Sequence, residues 1–197
     1  MTPEDRTYAL DAFEHWARSG YAPHLLDEVE ERLGDLLEGE PPAAFVAEVR
    51  AHARRILDEQ RAAEATWTGP TTNDRLTEAF DALEDRGIVA VEDAGYTMSD
   101  GWSDANHLAS DFPDVRGATF FHGQDVEHAV RGEGLSLAFG AYVEGEEHEA
   151  ASVAIGREIC EVLAEHGVPT EWDGSVGQRI RIPPFEWRKR QFTESPL

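Results

Sequence analysis

GIVAVEDAGYTMSDGWSDANHLASDFPDVRGATFFHGQDVEHAV, residues 87–130, alternates short apolar runs with polar loops, and this alternation decides the fold. Residues 88–91 and 118–121 read as strands: four residues each, rich in branched and aromatic side chains. A polar loop follows each one. The first is Gly95-Tyr96-Thr97-Met98-Ser99-Asp100-Gly101-Trp102, and the second is His122-Gly123-Gln124-Asp125. The segment between the two strands is long enough for a crossover. If the strands are parallel, both loops emerge at one edge of the sheet. Sheets of this kind usually place their sites there.

Outward from that stretch, the pattern alternates between helix and strand. Asn73 reads as an N-cap before a helical stripe of Leu76, Ala79, Phe80 and Leu83, closed by Gly87. Residues 102–111 are weakly helical, and 125–130 make a short helix. Residues 135–143 form a longer strand. The strongest helix is 147–166, with Ala151, Ile155, Ile159, Val162 and Leu163 on one face. Residues 169–172 and 178–182 read as two strands about a turn. The expected class is α+β, a mixed sheet layered with helices, over residues 71–190 with a tail at 191–197. One core is expected to hold Phe80, Leu83, Ile88, Val91, Phe120, Leu137, Phe139, Ile155, Ile159 and Leu163.

Residues 1–66 read as helical throughout. Ala9, Phe13 and Trp16 make one stripe, ended by Gly20. Pro23 suits a first helical position before Leu26, Val29, Leu33, Leu36 and Leu37. Phe45, Val49, Ala53 and Ile56 make a third stripe, and residues 67–70 read as a linker.

The 197-residue chain carries 40 acidic and 17 basic residues, a net charge of −23. Such acidity disfavours non-specific contact with nucleic acid or anionic membrane. It fits a solvated surface or a face that docks on a basic partner. The basic, aromatic segment Phe185-Glu186-Trp187-Arg188-Lys189-Arg190 would then dock on the chain's own acidic surface or on a second subunit, so a homodimer is one open arrangement. The single cysteine, Cys160, allows no intrachain disulfide and reads as a buried structural thiol. The first 20 residues have no apolar signal core, and no run approaches about 18 apolar residues. The expected compartment is the cytoplasm.

The site expected at the sheet edge is a ligand-binding depression lined by Tyr96, Asp100, Trp102, His122, Gln124 and Asp125. These supply donors, acceptors and aromatic walls. Asp125→Ala is expected to abolish ligand binding and leave the fold intact. The plainer alternative is that Tyr96 and Trp102 are core and that Asp100, Gln124 and Asp125 cap turns and a helix. A second reading is a metal-dependent hydrolase centred on His122, Asp125 and His128, three residues apart, with Asp100, Asp104 and His107 available to complete the set. Ser99, Ser103 and His107 show no nucleophile elbow, and the glycines make no phosphate loop.

Several motifs together resemble a family of bacterial proteins defined only as a domain of unknown function. They are Thr72-Asn73-Asp74-Arg75-Leu76, Gly87-Ile88-Val89-Ala90, the stretch from Ala94 to Gly101, Phe120-Phe121-His122-Gly123-Gln124-Asp125, Leu137-Ala138-Phe139-Gly140, Glu171-Trp172-Asp173-Gly174 and Trp187-Arg188-Lys189-Arg190. The resemblance supports the domain without implying an activity. The layering is also similar, in architecture only, to small inhibitors of a ribonuclease. The functional expectation is therefore a cytosolic, non-catalytic binding or regulatory protein. It would hold a protein or a small molecule on its acidic face or sheet edge, with no cofactor, no metal, no nucleic acid and no membrane.

Overall fold

The computed structural model describes residues 2–37, 39–193 and 195. The chain divides into two compact units. One comprises the described residues up to Gly69 together with those from Lys189 onward, and the other spans Pro70–Arg188.

The first unit contains α1 (Pro3–Ser19), α2 (Val29–Leu36) and α3 (Ala43–Glu64). Thr2 starts α1 through a capping box: the Asp5 N–H donates to the Thr2 hydroxyl, and the Thr2 N–H donates to the Asp5 carboxylate. Gly20, at φ +83°, ends it in the left-handed region open to glycine. Phe13, Leu25, Val29, Leu33, Val49 and Ile56 form the core. Pro23 does not open a helix. The chain makes tight turns over residues 23–27, and α2 begins only at Val29.

The segment expected as a tail from residue 191 is bound into this unit. Glu64, on the last turn of α3, is 2% exposed. Its carboxylate accepts the backbone N–H groups of Gln191, Phe192 and Thr193 and the Thr193 hydroxyl, at 2.6–3.2 Å. Phe192 packs on the helical core beneath the Arg61 guanidinium. Lys189 lies over Tyr21, and Arg190 donates to the Gly69 carbonyl.

The second unit runs α4 (Thr72–Glu84), β1 (Ile88–Val91), α5 (Met98–Ala109), β2 (Gly117–Phe120), α6 (Gly123–Val130), β3 (Leu135–Ala141), α7 (His148–Glu165) and β4 (Ile180–Ile182). The sheet order is β1-β2-β3-β4. β1 and β2 are parallel, with Val91 opposite Phe120. β3 is antiparallel to both β2 and β4. This is the expected α+β fold after a helical N-terminal segment.

Alternation along the strands sends successive side chains to opposite faces. Val89, Ala118, Phe120 and Ala138 meet Ala105 and Trp102 of α5. On the other face, Phe139 lies against Gly156 of α7, and α4 and α7 pack together. The expected single core is thus split between two faces: Phe120 belongs to the α5 side, and Val91 and Phe139 are half-buried. Ile159 is fully buried on α7. Ile159→Ala should lower the stability of this unit by about 3 kcal/mol in denaturant unfolding, through lost transfer energy and a cavity.

Two expected local features differ. The N-cap of α4 is Thr71, boxed with Asp74, while the Asn73 side-chain oxygen accepts the Arg188 N–H at 2.8 Å. Residues 169–172 form no strand. Only Glu171 bridges Arg181, because the Trp172 indole turns to donate to the Ser175 and Gln178 carbonyls.

Candidate functional site

The parallel pairing of β1 and β2 carries their trailing loops to the same edge, and four backbone hydrogen bonds join them. Phe121 donates to Val91 and Ala94 donates to Phe121. Gly123 then donates to Gly95 at 2.9 Å, and Gln124 donates to Tyr96 at 3.3 Å. Gly95 has φ +56°, and an added Cβ would lie 2.3 Å from the Asp100 Cβ. At Gly123 a Cβ would lie 2.9 Å from the Tyr96 ring. Both glycines are required by close approach. The two loops are one rigid piece.

This stitching settles what the start of α6 can do. The N-terminal N–H groups of a helix are free to bind an anion only when nothing else accepts them. Here Gly95 and Tyr96 accept two of them, and the others fold back on His122.

The first loop is shorter than the sequence reading gives it. α5 already begins at Met98, capped by Thr97 in a box with Asp100. Both the hydroxyl and the N–H of Thr97 donate to the Asp100 carboxylate at 2.9 Å. Hydrogen bonding from the Thr97 side chain, then from its backbone, holds the Asp100 carboxyl below its ordinary range. Trp102 is half-buried, edge-on to Phe120 at 5.1 Å and against Gly140. Tyr96 is 52% exposed, and its hydroxyl donates to Glu127 at 3.0 Å. Gln124 is exposed.

His122 and Asp125 lie beneath this surface, each 5% exposed. The Asp125 carboxylate accepts the His122 N–H at 3.1 Å, and His122 Nδ1 sits 3.2 Å from the same oxygen. That oxygen has a third neighbour that sequence reading missed. Arg179, just before β4, donates through Nη2 to Asp125 Oδ2 and to the Ser136 carbonyl on β3. Burial lowers the proton affinity of His122 most, and the Arg179 charge lowers it further. Asp125 and Asp100 pull the other way without prevailing. Burial and the Arg179 charge together favour the neutral imidazole.

The hydrolase set does not assemble. His128 is exposed, with its Nδ1 2.6 Å from Glu133, away from the buried His122–Asp125 pair. Asp104 and His107 are exposed on α5. Among the described residues, no group of three or more His, Cys, Asp or Glu side chains is arranged to hold a metal ion.

The six expected residues divide by duty. Asp100 and Asp125 cap helices, His122 is buried beside Asp125, and Trp102 packs on the sheet. Tyr96 and Gln124 are displayed, with Asp100 exposed beside its cap. The fold and this edge together define an α+β unit with a fused, acid-capped loop surface, joined to a helical unit. The chain belongs to the family described as Domain of unknown function (DUF6891), whose model matches residues 2–191 and so takes in both units. No curated protein and no solved structure matches the chain. No described helix is long and apolar enough to cross a membrane.

Proposed function

We propose that this is a non-catalytic cytoplasmic binding protein that holds a basic protein partner on the fused loop edge, through Tyr96, Gln124 and the exposed carboxylate of Asp100. One observation carries the reading. The edge is rigid because its backbone donors are used internally, yet an aromatic ring and an amide remain displayed on it. Rigid display of a large aromatic side chain lowers the ordering cost of recognition. The acids at this edge are engaged in capping and pairing, which suits recognition better than proton transfer. The charge of the chain favours a partner of opposite sign and speeds encounter with it.

The test is retention of a stoichiometric partner from a lysate of the native host by wild type and by the double variant Tyr96→Ala/Gln124→Ala. Both changes lie on the surface and should alter stability by no more than about 0.5 kcal/mol. A partner held by wild type at ~150 mM salt, where long-range attraction is largely screened, should be lost from the variant. Equal retention by both proteins would overturn the assignment of the edge.

A further inference from the structure

Asp125 Oδ2 is shared between two groups that can both be cations. Arg179 Nη2 hydrogen-bonds to it, and His122 Nδ1 is 3.2 Å away without the alignment of a hydrogen bond. Three charged groups face the imidazole: Asp125 from α6, Arg179 from the approach to β4, and Asp100 from the first turn of α5. Arg179 also holds the Ser136 carbonyl, so its position ties α6 to β3. The His122 main chain is the N-cap of α6, one residue before the Gly123–Gly95 bond that joins the loops.

We propose that His122 is a proton-operated link that sets the arrangement of the loop edge. With His122 neutral, Asp125 is held by Arg179. When His122 takes a proton from solvent, its Nδ1–H aligns on Asp125 Oδ2, and Arg179 gives up that oxygen while keeping Ser136. One carboxylate oxygen in a buried setting does not serve two full charges equally, because both stay partly desolvated. The imidazolium is also drawn toward Asp100, coupling the caps of α5 and α6 directly. The edge then differs in charge and in anchoring between neutral and mildly acidic solution. Depression of the His122 proton affinity by burial and by Arg179 puts the change below the ordinary histidine range. If the edge binds a basic partner as proposed above, the added positive charge weakens that binding.

The test needs no partner, so it stands or falls separately from the binding reading. In full-length wild-type protein, NMR would follow the His122 ring, the Tyr96 and Gln124 amides and the Arg179 guanidinium through a pH titration. The expected result is one shared midpoint for all four, below that of an exposed histidine. Arg179→Gln should raise the His122 midpoint, because a competing cation is removed. Failure of His122 to titrate before the protein unfolds would overturn the proposal. So would a His122 titration with no movement at Tyr96, Gln124 and Arg179. Should Arg179→Gln not fold, the wild-type coincidence of midpoints decides alone.

Discussion

Glu64→Ala should destabilise the helical unit by about 4 kcal/mol. The carboxylate is nearly sealed from solvent and serves three consecutive backbone N–H groups and a hydroxyl. Removing it leaves those donors without their acceptor, and an unsatisfied buried donor costs roughly 1–3 kcal/mol. Glu64→Gln should cost less, since an amide oxygen keeps one acceptor, but its NH2 opposes the remaining donors. Hydrogen exchange at Gln191, Phe192 and Thr193 should accelerate by orders of magnitude in the Ala variant. Unchanged protection there would show that the carboxylate is not what holds the segment.

The same group makes a prediction about pH. Burial raises the carboxyl proton affinity of Glu64, but hydrogen bonds from Thr193, Gln191 and Phe192 together outweigh it, and the net shift is downward. A depressed carboxyl contributes stability that is present above its unfolded value near 4.5 and is lost as pH falls through its lower folded value. Wild type should therefore lose helical-unit stability below about pH 4.5 more steeply than Glu64→Gln does.

Asp125→Ala should destabilise the α+β unit by roughly 3–5 kcal/mol, because it breaks a largely buried pair and leaves Arg179 without its carboxylate. It also removes the acceptor of the His122 N–H at the start of α6. This reverses the expectation that Asp125 can be removed with the fold intact. Arg179→Met would remove the opposing charge, so the double variant should be less destabilised than the sum of the two single variants. Additive losses in that cycle would mean that the pair is not coupled.

What the sequence makes legible is local. The strand at 88–91, a second strand within one residue of 118–121 and the stripes on α4 and α7 were within reach, because periodicity carries them, whereas spacing allowed the parallel pairing without fixing it. The start of α5 was also written in the sequence and is easy to misread. Thr97-Met98-Ser99-Asp100 repeats the spacing of the boxes at Thr2–Asp5 and Thr71–Asp74, but Asp100-Gly101 imitates a turn and hides it. Pro23 misleads in the opposite direction, since a proline that suits a helix start suits a tight turn equally well. The key contacts at the edge and at Glu64 are not local at all. Arg179 meets Asp125 from 54 residues away, and Glu64 meets Gln191 from 127. No periodicity records such partners, and among 16 arginines nothing marks Arg179.

Closure of the helical unit by residues 189–193 also fixes an order of events during synthesis. When α3 leaves the ribosome, Glu64 has no partners, and it acquires them only after the whole of Pro70–Arg188 has been made. The inserted unit has its own core, and its two ends are held together by Thr71 donating to the Arg188 carbonyl. It can mature while the first three helices wait unfinished. A chain that ends at Arg188 and has left the ribosome should therefore hold a protease-resistant α+β unit and a helical segment that is still cleavable, and restoring residues 189–193 should protect the helical segment as well.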